Sequence, residues 1–299
     1  MKGNVSIGLL SMAAVLTSGA RVSTQAENSS VSLDTFDDWC AHQPHLTSEA
    51  RHTVGMLLEQ VETQDCHHAE DRLANLTSLN FEQSDVADLG PLASLQNLRE
   101  LMLADNQISD VAPLANLTNL EKLFLHGNQI ADVSPLATLT NLEALFLHNN
   151  PIVDVAPLGS LTNLRELTLA NNPISDLTLL ERLTNLRLLI LANNQISDVA
   201  PLAKLTSLRK LILGGNQISD LTPLENLTNL TELVLVNNQI ADVAPLARLT
   251  NLEMVFLGNN QVSDPSSLAN LRNLKMLSLT GNPLSNQTCP VQPETICQF

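Results

Sequence analysis

The chain has 299 residues, a formal charge of −16 and an isoelectric point near 4.6. Nucleic-acid binding and docking on an anionic membrane both need cationic surface, so this balance argues against either as a general role. Hydrophobic residues make up 44% of the chain and aromatics only 2%, with one Trp and no Tyr, so any core must be built from aliphatic side chains.

The first apolar stretch, "VSIGLLSMAAVLTSGA" from Val5 to Ala20, is too short and too rich in small residues to span a bilayer. Ser18 and Ala20 stand at the −3 and −1 positions of a cleavage site, and Thr24 and Ala26 offer a later one. Residues 1–20 therefore read as a secretory signal peptide, with cleavage as late as 26, and residues 21–31 as a flexible linker. The expectation is a secreted or periplasmic protein whose mature chain is not inserted in a membrane.

Residues 32–75 read as a helical N-terminal cap. In "TSEARHTVGMLLEQV" a helix starts at Thr47 or Ser48, and Val54, Leu57, Leu58 and Val61 fall at helical spacing. "DCHHAEDRL" opens a second short helix capped by Asp65. The histidines at 42, 45, 52, 67 and 68 lie beside Cys40 and Cys66 and raise the question of zinc. Neither Cys has the close second Cys usual in structural zinc sites, so no metal is expected.

From 76 to 284 the sequence repeats itself every 22 residues, in ten units of which the last is truncated. The pattern is LxxLxLxxNxIxDxxPLxxLxx, and a period of this length means a solenoid. Within LxxLxL the alternation is that of a strand with one buried face, and identical strands from successive units stack in parallel. An Asn recurs where each strand must turn away, at Asn106, Asn128, Asn150, Asn172, Asn194, Asn216, Asn238, Asn260 and Asn282. Its amide both donates and accepts, so a ladder of them can satisfy the backbone of turn after turn. The first unit carries Ser84 instead. Next comes an Asp column from Asp88 to Asp264, expected to accept N–H groups opening a short convex turn, followed by a Pro that suits a 3₁₀ segment. Calcium between stacked carboxylates is the sharper reading of the Asp column; local N–H bonds are the simpler one and are preferred. Leu179 and Ser267 replace the Pro in two units and Pro265 sits out of register, so the penultimate turn is expected to be irregular.

This unit resembles the SDS22-like class of leucine-rich repeats, which includes bacterial internalins. The resemblance implies an α/β-type solenoid, a curved arc with a parallel β-sheet on its concave face, short 3₁₀ turns on its convex face, and the binding of another protein. The start, "WCAHQPHLTSEARHTVGMLLEQVETQDC", and the end, "CPVQPETICQF", resemble those of secreted cyanobacterial leucine-rich repeat proteins. The chain departs from internalins in these caps and in lacking their immunoglobulin-like region and wall anchor, so host-receptor binding is not carried over.

Residues 285–299 read as a C-terminal cap. The four cysteines allow three pairings. Ten units separate the caps by about 45 Å at sheet spacing, whereas a disulfide holds Cα atoms within about 7 Å. The expected bridges are therefore Cys40–Cys66 and Cys289–Cys297.

No P-loop, GxGxxG, HExxH or GxSxG is present, so neither an enzyme nor a cofactor is expected. What varies between units is the outward strand column Met102, Phe124, Phe146, Thr168, Ile190, Ile212, Val234 and Phe256, expected to face solvent. Two positions on, His126 and His148 flank the Phe pair, and mostly small residues follow. A contiguous exposed apolar stripe marks a partner site, although exposed strands also favour such residues for propensity alone. Arg165, Arg187 and Arg209 form a rim beside it, either an anchor for acidic groups or a solvated edge. The expectation is a monomeric module that binds a protein or peptide on its sheet face; the competing reading is a structural or adhesive envelope component with no single tight partner.

Overall fold

The computed structural model describes residues 32–299; the expected signal peptide and linker lie outside the described residues. Three helices come first: α1 (Phe36–Ala41), α2 (Ser48–Gln60) and α3 (Cys66–Leu73). Each begins where a side chain accepts an otherwise orphaned N–H. Thr35 accepts from Asp38 in a reciprocal capping box, Thr47 from Ala50, and Asp65 from His68. Helix α1 was not read from the sequence, because six residues carry too little periodicity to show one. Its Phe36 is fully buried and shares one core with Leu57 of α2, Leu73 of α3 and the first strand's Leu79. The Cys40–Cys66 disulfide ties α1 to α3. Thr53 of α2 donates to the Asp88 carbonyl, so this helix is bonded directly to the first unit.

Eleven parallel strands then follow in chain order in a single sheet. They are β1 (Ser78–Asn80), β2 (Glu100–Met102), β3 (Lys122–Phe124), β4 (Ala144–Phe146), β5 (Glu166–Thr168), β6 (Leu188–Ile190), β7 (Lys210–Ile212), β8 (Glu232–Val234), β9 (Met254–Phe256), β10 (Met276–Ser278) and β11 (Cys297–Gln298). From β1 to β10 the register is the repeat itself, residue i facing residue i+22. The strands are three residues long because each must leave the sheet at once to complete its turn. Inside, one unit buries seven aliphatic side chains, as with Leu186, Leu189, Leu191, Ile196, Val199, Leu202 and Leu205. Each is worth about 1.5–3 kcal/mol relative to exposure. This supplies the core that the scarcity of aromatics demands.

The turn after each strand is held by the Asn column. Asn194 donates from Nδ2 to the carbonyls of Leu169, Leu191 and Ala192, and its Oδ1 accepts the N–H of Ile174 in the preceding unit. The ladder thus bonds each turn to the one before it. Nine tenths or more of every ladder Asn from Asn106 to Asn260 is buried, whereas Asn282 is partly covered. The residue before each ladder Asn lies in the left-handed region, from Asp105 (φ 53°) through Asn193 (φ 55°) to Gly281 (φ 75°). Gly, Asn and Asp tolerate that conformation best, which is why the position holds them. At Gly127 any Cβ would also meet the Asp105 carboxylate.

Opposite the sheet, each unit closes with a 3₁₀ segment such as Ala200–Lys204. The Asp column opens it, but from one place earlier than an N-cap. Asp198 accepts the N–H of Ala200 at 2.8 Å, while Val199 holds the cap position. This is an Asx turn leading into the segment. Where the acceptor's partner is Ser134, Thr178 or Thr222, that hydroxyl is the first cause and its N–H the second of a carboxyl held below the usual range. The irregular penultimate turn does not occur. Pro265 takes the buried cap position held by Val or Leu elsewhere, with φ −90°, and the segment runs regularly over Ser266–Asn270. Nor is the Pro indispensable, since Thr178–Arg182 forms without it.

At the far end the chain returns to the sheet. Strand β11 pairs with β10, Leu277 facing Cys297, and Cys289 and Val291 are buried beneath it. The Cys289–Cys297 disulfide closes this cap. No helix among the described residues is long and apolar enough to cross a membrane.

Candidate functional site

The last residue of each strand builds the outward column. Register places Met102 beside Phe124, Phe124 beside Phe146, and Ile190 beside Ile212, Val234 and Phe256 in turn. The sequence reading has these residues facing solvent. In the structure each is half-buried, because parallel strands bring neighbouring side chains of the column into contact and each covers the next. Phe124 and Phe146 stack with ring centroids 4.6 Å apart and planes 2° from parallel. They floor a depression of about 270 Å³ edged by Lys122, Glu143, Arg165 and Glu166.

His126 and His148 form a second stack at 4.2 Å and 12°. The His148 Nδ1 lies 3.0 Å from the Thr168 hydroxyl, and Thr168 is only 5% exposed. Thr168, expected with the rest of the column to face solvent, is therefore covered; the imidazole lies over it. Burial is the first cause that pushes His148 below the ordinary histidine range, the facing His126 adds to it, and Asp105 opposes both. The Nδ1 of His126 is buried without a hydrogen-bond partner. The quartet is thus a compact patch of four flat rings, two of them polar at one edge.

The rim follows charge pairing between units. Arg99 pairs with Glu121, Arg165 with Glu143 at 3.5 Å, and Lys275 with Glu253 at 2.7 Å. One column inward Lys122 pairs with Glu100 and Lys210 with Glu232. The three rim arginines read together from the sequence are therefore not alike: Arg165 has a carboxylate, and Arg187 and Arg209 form no ion pair among the described residues.

A family model described as leucine-rich repeats in two copies matches in overlapping windows from residue 74 to residue 270. An internalin, InlF, of Listeria monocytogenes aligns at 37% identity over 72% of this chain and 70% of its own, with a TM-score of 0.64. Internalin C2 of the same species aligns at 37% identity over 75% of this chain and 90% of its own, with a TM-score of 0.57. The chain belongs to the leucine-rich repeat family, in its internalin-like class. The fold also matches the leucine-rich repeat ectodomain of the Arabidopsis thaliana membrane receptor kinase GASSHO1/SCHENGEN3. That structure contains the partner CASPARIAN STRIP INTEGRITY FACTOR 2; identity is 30% over 69% of this chain and 27% of that one, with a TM-score of 0.62. No curated protein matches the chain.

Two further columns of this leucine-rich repeat escaped the sequence reading. The Asn of each "TNL", exposed at Asn119, Asn141, Asn163 and Asn185, donates to a carbonyl of the preceding unit, as Asn185 does to Thr162 at 2.9 Å. The left-handed residues form a third, in which Asn193 donates to Asn171 and Asn171 to Asn149. Their periodicity is visible in the sequence, but an exposed amide gives no sign there that it bonds to the neighbouring unit. These amides bond to the scaffold, so the sheet face between them is left to the variable rings and the rim.

Proposed function

We propose that this protein is an exported, monomeric interaction module that holds a protein or peptide on the outer face of its sheet, without catalysis. The single observation that carries the reading is the apolar column, with Phe124 and Phe146 stacked at 4.6 Å on one side of Thr168 and Ile190, Ile212, Val234 and Phe256 on the other. Such a stripe has no structural duty, because the Leu core lies on the opposite side of every strand. In a protein with a formal charge of −16 it stands out as the surface that loses most by contact with water. The plant receptor ectodomain crystallised with its partner supports a binding role for the architecture. The two disulfides support export to an oxidising compartment, as does the leader expected at residues 1–20.

The test is capture from the native secreted fraction, followed by calorimetry of the captured partner against wild type and the Phe124→Ser/Phe146→Ser variant. Interface energy concentrates in a few large central residues, so binding should weaken by about 2 kcal/mol or more. The circular dichroism spectrum should stay unchanged. Normal binding by a folded variant would remove this face from consideration.

A further inference from the structure

Positive charge on the rim and the adjacent strand column is almost wholly paired within the protein. In the rim column, Arg99, Arg165 and Lys275 each have a carboxylate one unit away. In the next column Lys122 and Lys210 do as well. Arg187 and Arg209 are the exception. They are neighbours, since the Arg209 N–H donates to the Arg187 carbonyl at 2.9 Å. Both are exposed. Each rim neighbour that would neutralise them is occupied or absent: Glu143 lies two units from Arg187 and is held by Arg165, and Thr231 follows Arg209 with its hydroxyl turned to the Arg209 carbonyl at 3.0 Å. On the adjacent strand positions, Glu232 is taken by Lys210 and Glu166 forms no ion pair with either arginine.

Two guanidinium groups rooted on neighbouring strands about 4.8 Å apart repel one another and gain nothing from the fold. An acidic chain carries this pair with no ion-pair partner among the described residues, at the edge of an apolar run. Arg187 lies three residues before Ile190, and Arg209 three before Ile212, which is about 10 Å along an extended strand. A carboxylate accepts two parallel N–H bonds from a guanidinium, and a second guanidinium beside it completes the charge balance.

Resting on the binding reading above, we propose that Arg187 and Arg209 together seat an acidic side chain of the partner, and that the partner follows this Asp or Glu with an aliphatic or aromatic side chain about 10 Å away, over Ile190 and Ile212. Arg165 is outside this subsite because Glu143 already holds it.

The experiment pans a phage-displayed random dodecapeptide library on the folded protein, on Arg187→Gln/Arg209→Gln, and on Arg187→Glu/Arg209→Glu. Wild type should enrich peptides bearing Asp or Glu within a few residues of Leu, Ile, Val, Phe or Met. The Gln variant should lose the acidic preference and keep the apolar one, and the Glu variant should exchange Asp and Glu for Lys and Arg. A selected acidic peptide should bind the Gln variant roughly tenfold or more weakly, the scale of one charge-assisted contact. Both substitutions sit on exposed side chains, and unchanged thermal melts will establish that the variants fold. Apolar enrichment without acidic preference on wild type, or acidic preference surviving in the Gln variant, overturns the subsite while leaving the face reading standing. No enrichment by wild type overturns both.

Discussion

Replacing Asn194 by Ala asks how much one rung of the buried ladder contributes. The count of orphaned groups follows from the bonds. The Leu169 carbonyl accepts from Asn194 at 3.0 Å but also from Asn172 at 3.0 Å. The Leu191 carbonyl accepts from Asn194 at 2.9 Å and from Asn216 at 2.9 Å. The Ala192 carbonyl keeps the N–H of Asn171. Each carbonyl therefore retains one donor after the substitution. Only the Ile174 N–H, 3.1 Å from Asn194 Oδ1, is left with no partner, in a position water does not reach. One unsatisfied buried donor costs about 1–3 kcal/mol, and that is the expected loss, not a multiple of it for the four bonds removed.

Two comparisons sharpen the test. Asn282→Ala orphans the Val262 N–H in the same way, but Asn282 is only partly covered, so water can take its place and the loss should be smaller. Asn194→Asp keeps an acceptor for Ile174 and points a second carboxylate oxygen at the Leu169 and Leu191 carbonyls, replacing attraction with repulsion. It should be worse than Asn194→Ala at neutral pH, and the difference should narrow as acid protonates the Asp. Urea unfolding followed by circular dichroism gives the midpoints, with the slopes checked because repeat arrays can unfold in parts. Equal midpoints for Asn194→Ala and Asn282→Ala, or an Asp variant as stable as wild type, would refute the account of the ladder.

The caps and the histidine stack give the other expectations. Non-reducing peptide mapping of the native protein should recover Cys40–Cys66 and Cys289–Cys297, and free thiols or bound zinc would contradict it. Sequence separations of 26 and 8 residues predict losses of about 3.5 and about 2.5 kcal/mol when each pair is changed to Ala, so the N-terminal cap should suffer more. His148 is depressed below 6.5 in the folded protein, so the folded state binds its proton less readily than the unfolded chain. Its contribution to stability should be complete above pH 6.5 and should fall as the pH drops from there through the folded value. A proton NMR titration should find the His148 midpoint below 6.5, and higher in His126→Gln because the second cause is removed; a midpoint at or above 6.5 in wild type would contradict the burial argument.

What could be read in advance divides along one line. Buried positions and the turn-opening Asp were legible, because a repeat states its own structural requirement ten times. The strand leucines and the Asn ladder have this character, whereas the exposed Asn columns recur as clearly but nothing in an exposed amide announces that it bonds to the neighbouring unit. The rest of what was not legible depends on a single copy. Helix α1 is held by Phe36 joining the core where this helix packs on α3 and on the first unit's 3₁₀ segment (Gly90–Leu92), a contact between segments far apart in sequence. Strand β11 belongs to no repeat, and two residues paired with β10 leave no periodic trace. The Pro265 shift looked like damage in the sequence, whereas the backbone accepts Pro at the buried cap position with the same 3₁₀ segment after it. The exposure of the outward column was not legible for the same reason: alternation says that Phe124 points outward, but only the neighbouring ring says how much of it water still touches.

That division explains where specificity can reside in such a molecule. A side chain that serves the scaffold is fixed by its equivalents above and below it, since changing one rung strands a backbone group of the next unit. The outward column has no such tie except at Thr168, and the rim is joined across units by exposed ion pairs and the Thr231 hydroxyl. His148 reaches across to the Thr168 hydroxyl, joining the ring quartet of β3 and β4 to the strand where the column narrows. The Ile190 to Phe256 run and the unpaired Arg187 and Arg209 begin on the very next strand. The face therefore consists of two differently built halves meeting at Thr168: stacked rings with polar edges on one side, aliphatic surface with uncompensated positive charge on the other. A partner filling both must present flat surface to the first and an acidic group followed by an apolar one to the second. A partner that satisfies only one half leaves the other as exposed apolar surface or unmet charge. On the proposed binding reading, the discrimination comes from that difference, since a generic apolar peptide meets the stripe but not the arginines.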